Sequence, residues 1–183
     1  MKKDTLTQFV CFTTQLELET FAPEWERFVN KLSDKTPDPS LQQQVAGTKA
    51  RFRYISQHEL PDPDFNFRFM NDRKSEQFPE MQVRVTQIGG YIPIWHKKKI
   101  DTDETYVKLI AFISHNETDI EFYRRLPVNG QIDIYQAYYE SCSYGYVLEF
   151  FVPETDAGEL FLQLKLRPGV ETGIYKDCFV PHI

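Results

Sequence analysis

The chain has 183 residues, 41% of them hydrophobic, 15% aromatic and 26% charged, enough apolar surface to offset the entropy of folding and exclude disorder over most of its length. Its net charge of −6 argues against a nucleic-acid backbone as partner, since phosphate contacts need clustered Lys and Arg. No apolar run approaches the roughly 20 residues of a membrane helix, and Phe9–Phe12 is too short for a signal-peptide core. The three cysteines, Cys11, Cys142 and Cys178, are far apart and lack CxxC spacing, which fits reduced thiols and a cytoplasmic location.

Taken in chain order, Thr7–Thr14 reads as a strand and Pro23–Leu32 as a helix, with Trp25, Phe28, Val29 and Leu32 at helical spacing. Ser33–Thr48 reads as a polar loop. Ala50–Glu59 and Asp64–Met70 read as strands joined through Pro61-Asp62-Pro63, and Asn71–Gln77 leaves room for one or two helical turns. Met81–Ile88 is the next strand, ended by Gly89-Gly90. The segment 95–105 reads as a solvated linker carrying the only basic run, Lys97-Lys98-Lys99.

Beyond the linker, Val107–Ser114 is β-branched and apolar, hence a strand. Asn116 or Thr118 caps a short helix that runs to Leu126 and stops at Pro127 and the Asn129-Gly130 turn. Ile132–Glu140 and Tyr144–Val152 are strands around Ser141-Cys142-Ser143. Thr155 or Asp156 caps a Leu-rich helix ending at Pro168-Gly169, and Val170–Phe179 closes the chain.

Each half thus follows the order β-α-β-β-α-β, and short matches run in parallel between the halves. FVCFTT at 9–14 matches LIAFIS at 109–114, YISQHE at 54–59 matches YQAYYE at 135–140, and FPEMQVRV from Phe78 matches RPGVETGI from Arg167. The expected architecture is α+β: two ferredoxin-like repeats, residues 1–94 and 106–183, facing each other as an intrachain barrel. In element order this resembles the α+β barrel superfamily, usually built as dimers of single units, with antibiotic-biosynthesis-type monooxygenases, muconolactone isomerases, EthD-like proteins and chlorite dismutases among its members. The resemblance implies a small-molecule pocket in each half, in a monomer or homodimer. Fold alone does not fix chemistry.

Strand alternation then selects candidates. Tyr146, Leu148 and Phe150 form an apolar face expected under helices, leaving Val147, Glu149 and Phe151 inward. Arg68 takes the matching inward place in the first half, so Arg68 and Glu149 are expected to meet between the sheets, as a structural ion pair or as groups in a cavity. Alternation also offers Arg53, Gln57 and Glu59, with Gln136, Tyr138 and Glu140, as inward positions or as a solvent-facing edge.

His115, at the end of an apolar strand, is the acid–base candidate, with Glu149 as its catalytic companion. Arg68, Tyr138, Tyr139, Glu140 and His58 are the substrate-binding candidates. His58 and Tyr139 are paired by the repeat. Each has a bland alternative as a packing, capping or surface residue.

No HxH, HxxxH or paired-Cys spacing suggests a metal, and no cofactor is expected. Haem occurs in the resembled superfamily, but no His falls on a predicted helix, where several haem-binding relatives carry theirs. The expected function is therefore small-molecule binding, with cofactor-independent oxygenation or isomerisation as the catalytic form. The alternative is a non-catalytic binding or interaction scaffold. Nucleic acid is disfavoured because the aromatics lack interleaved basic residues.

Overall fold

The computed structural model describes residues 5–30, 39–60, 84–98 and 105–178. Eight strands close into one barrel: β1 (Leu6–Thr13), β2 (Ser40–Gln44), β3 (Tyr54–Leu60), β4 (Arg84–Lys97), β5 (Tyr106–Ile113), β6 (Gln131–Ala137), β7 (Tyr146–Pro153) and β8 (Val170–Asp177). The order around the barrel is β1-β3-β2-β8-β5-β7-β6-β4, and neighbouring strands are antiparallel. Within each half the order is therefore fourth-first-third-second, the ferredoxin-like arrangement. Each half's second strand joins the other half's fourth. Closure leaves no free sheet edge among the described strands.

Three helices are described: α1 (Leu18–Asn30), α2 (Ile120–Arg124) and α3 (Glu154–Lys165). Helix α1 buries Phe21, Trp25 and Val29, four residues apart, on Val10, Phe12, Leu41 and Tyr54. Phe21 stacks on Tyr54, with ring centroids 4.2 Å apart. Helix α3 buries Ala157, Leu160 and Leu164 over Leu109, Ala111, Leu148 and Phe150. A third cluster fills the barrel: Phe9, Cys11, Ile55, Tyr91, Ile110, Phe112, Val147 and Tyr175. Fully burying each large side chain contributes about 1.5–3 kcal/mol, so this two-sided packing explains the near-continuous apolar character of β5 and β7.

Several expected boundaries shift. Helix α1 begins a turn before Pro23, because the Glu17 carbonyl accepts from the N–H groups of Thr20 and Phe21. Strand β2 lies inside the segment read as a polar loop: SLQQQ is strand because β3 and β8 pair with it on either side. Strand β3, read as the second strand of its half, is the third, bonded directly to β1. Its counterpart is therefore β7, which holds the same place beside β5, and the matching of 54–59 to 135–140 is overturned. The register offset also fails in facing, since Phe9 points into the barrel and Leu109 lies under the helices.

Strand β4 continues to Lys97, so Trp95, His96 and Lys97, read as linker, pair with β6. Asp119, rather than Asn116 or Thr118, caps α2 by accepting from Phe122 N–H at 3.2 Å. No side chain caps α3, which follows Pro153 directly. The expected strand 64–70 with Arg68, and the expected helix 71–77, lie outside the described residues.

The turn into β6 depends on a close approach. A Cβ on Gly130 would come 2.0 Å from the Phe151 carbonyl oxygen, a backbone atom that cannot rotate aside. Gly130→Ala is expected to cost about 3 kcal/mol, the upper end of overpacking penalties, read as a lower urea midpoint. An unchanged midpoint would show that the β6–β7 edge adjusts freely.

Candidate functional site

A cleft of about 320 Å³ opens where β5 and β6 end. The β5–α2 loop contributes His115, Glu117 and Thr118. The β6–β7 connection contributes Tyr138, Tyr139, Glu140 and Gly145, and the flanking strands add Gln136, Ala137 and Tyr146. Four of the seven sequence candidates, His115, Tyr138, Tyr139 and Glu140, are thus brought together, although they were selected by separate arguments.

The backbone explains the juxtaposition. Gly145 N–H donates to the Ile113 carbonyl at 2.8 Å, drawing the β6–β7 connection back over the end of β5. Tyr138 N–H donates to the Gly90 carbonyl at 3.0 Å, and Cys142 N–H to the Tyr139 carbonyl at 3.1 Å. The Cys142 thiol donates to the Gly90 carbonyl at 3.4 Å, and Tyr91 hydroxyl to the Tyr144 carbonyl at 3.0 Å. The connection is therefore anchored on both β4 and β5. Tyr138 and Tyr139 meet edge to face, centroids 4.8 Å apart, and Tyr138 remains 46% exposed.

His115 is held by the same connection, its Nε2 lying 2.7 Å from the Cys142 carbonyl oxygen. A carbonyl can only accept, so Nε2 carries hydrogen, and in the neutral ring Nδ1 keeps the lone pair. A Cβ on Gly145 would sit 3.1 Å from His115 Cα and 3.4 Å from Nδ1, so glycine keeps the space beside that nitrogen clear.

The other wall is fixed by a buttress. The Glu117 carboxylate accepts from Asp119 N–H at 3.0 Å, Arg167 at 3.1 Å and Tyr123 hydroxyl at 3.4 Å. The Asp119 N–H, with Arg167 and Tyr123, holds the Glu117 carboxyl below the usual carboxylate range despite partial burial. Arg167 also stacks 3.8 Å over Phe122. Glu117 is thus engaged structurally, whereas Glu140 is exposed and has no ion-pair partner among the described residues.

The remaining candidates lie elsewhere. Glu149 points into the barrel, as alternation indicated, but not into the cleft. Its Oε2 accepts from Tyr135 hydroxyl at 3.0 Å and from Gln57 Nε2 at 3.4 Å, and Lys108 Nζ lies 3.6 Å from Oε1. Burial pushes its carboxyl above the usual range; Lys108 and Tyr135 oppose the rise, and Asp133 adds to it. Gln57 reaches it from the first half, and Arg68, the expected partner, lies outside the described residues.

His58 is also fully buried, but under α1. Its Nε2 is 2.7 Å from Ser56 Oγ, which accepts from Trp25 Nε1 at 2.9 Å. That contact makes it a packed polar residue of the helix layer, separate from Tyr139.

On β6 the inward residues are Asp133, Tyr135 and Ala137, one position off the expected Gln136, Tyr138 and Glu140. Tyr135 packs edge-on against Phe9 and bonds Glu149. Sequence reasoning missed Tyr135, Lys108, Glu117 and Gly145. Anchoring the alternation on Ile132 and Ile134 as the helix-facing pair would have identified Tyr135. No group of three metal-capable side chains occurs among the described residues.

Solved structures share this architecture. An anthrone oxidase-like protein matches with a TM-score of 0.58 and 10% identity, over 97% of this chain and 93% of its own. A mutant chlorite dismutase from Candidatus Nitrospira defluvii matches at 0.56 and 10% identity, over 96% of this chain and 93% of its own. Another mutant of that enzyme, in complex with cyanide, matches at 0.55 and 10% identity, over 96% and 92%. The fold is that of the ferredoxin-like α+β barrels. No protein-family model matches the chain, and no curated protein matches it by sequence. At 10% identity the α+β barrel likeness concerns fold alone, and no helix of the described residues is long and apolar enough to cross a membrane.

Proposed function

We propose that this α+β barrel binds a small molecule in the His115 cleft and that His115 transfers protons there. The observation that carries this reading is the 2.7 Å contact between Nε2 and the Cys142 carbonyl, which fixes the ring and leaves Nδ1 as an acceptor beside Gly145. The cleft lies at the small end of ligand-site volumes and mixes aromatic with polar walls. Removing a proton from carbon is the step shared by isomerisation and cofactor-independent oxygenation. In that step Nδ1 is the base, while the exposed Tyr138 hydroxyl is a donor for the charge that develops on the substrate. Glu149, expected as a catalytic companion, is assigned a structural role because it is enclosed in the barrel.

The test is a small-molecule screen followed by the His115 imidazole NMR signals. Binders are expected to move those signals together with the backbone amides of Tyr138–Gly145. Binders that move only residues inside the barrel would overturn the assignment. Binding in the cleft without turnover of any ligand would favour a non-catalytic binding protein.

A further inference from the structure

We infer that the cleft takes a compact organic cation, an aryl- or alkyl-ammonium, seated between the Glu140 carboxylate and tyrosine faces. This rests on the cleft being the ligand seat and adds the charge of its occupant. The first observation is the sign of the wall: the charged side chains lining the cleft among the described residues are Glu117 and Glu140, and no Lys or Arg joins them. The nearby cation, Arg167, is already bonded to Glu117 and Tyr123, so neither it nor Glu117 is available to a ligand. Among the described residues, Glu140 is left as the one exposed carboxylate lining the cleft without an ion-pair partner.

The second observation is the aromatic content. Tyr138, Tyr139 and Tyr146 all line the cleft, and the edge-to-face packing of Tyr138 on Tyr139 holds their rings in a fixed relation. Aromatic faces attract ammonium groups through the ring quadrupole, more as water is excluded, and also accept a flat apolar body. The third is His115, whose Nδ1 accepts an N–H but offers an anion nothing while the ring is neutral. A carboxylate or phosphate ligand would meet Glu140 without a compensating donor cation. A primary ammonium satisfies Glu140 and tyrosine together.

The experiment compares three ligands of one shape, benzylammonium, benzyl alcohol and benzoate, titrated into the full chain near neutral pH with His115 and Tyr138–Gly145 signals as the readout. Benzylammonium is expected to bind at least about tenfold more tightly than benzyl alcohol, with benzoate weakest. Glu140→Gln is expected to collapse the difference between the first two. Benzoate binding as well as benzylammonium, or a preference that survives Glu140→Gln, would overturn the inference. Benzyl alcohol binding in the cleft without a charge preference would sink the cation while leaving the cleft as the ligand seat. No movement of cleft signals with any of the three would count against both.

Discussion

Glu149→Ala is expected to lower the stability of the fold by about 3 kcal/mol at neutral pH. The substitution strips the acceptor from Tyr135 hydroxyl and Gln57 amide and takes the nearer carboxylate from Lys108, whose side chain is only 13% exposed. Asp177, 3.8 Å from Lys108 and largely exposed, remains as a weak replacement, which places the cost at the lower end for breaking a buried pair. Glu149→Gln should behave differently, because it keeps the shape and can still accept from Tyr135.

The two variants separate packing from charge. Burial raises the folded-state pKa of Glu149 above its unfolded value. A carboxyl raised in this way contributes stability that is fully present below the unfolded pKa and is lost as pH rises through the folded pKa. The stability of Glu149→Gln relative to the parent chain should therefore improve on going from acid to neutral pH. Denaturant midpoints measured across that range give the comparison. A difference that does not change with pH would show that the carboxyl titrates alike in both states.

His115→Gln is expected to lower turnover of any substrate by about 10²–10⁴-fold while leaving ligand affinity within a few-fold. Glutamine can still donate to the Cys142 carbonyl, so the loop contact survives, but it has no basic nitrogen to replace Nδ1. The split between kcat and KM matters more than the size of the loss. A rise in KM with unchanged kcat would assign His115 to binding or to holding the loop, and would remove the proton-transfer role.

Much of the second half was legible because its strands are dense in β-branched and aromatic residues and α3 repeats Leu on one face. Val107–Ser114 became β5 and Tyr144–Val152 became β7 with changes of one to two residues at their ends. The first half resisted for a physical reason: its strands carry polar residues that tertiary contacts satisfy. Gln42 is fully buried in β2, so that strand read as part of a polar loop, while Ser56 and His58 are fully buried in β3 against Trp25. That reading displaced β3 by one place in the sheet and produced the false partnership of His58 with Tyr139.

The cleft was legible as residues but not as a place. His115 and Tyr138–Glu140 are more than twenty positions apart, and no periodicity could show that Gly145 would draw one segment over the other. Glu149 was read facing the correct way, yet its partners Tyr135 and Lys108 depend on the register of β6 and β5, which composition does not reveal.

The central claim is that the ligand seat is the cleft at His115 and not the interior of the barrel. A crystal structure of the chain with a bound hit from the small-molecule screen tests it most directly. Ligand density is expected against Tyr138 and Tyr146 and within hydrogen-bonding distance of His115 Nδ1. Density inside the barrel beside Glu149, with the His115 cleft holding only solvent, would contradict it.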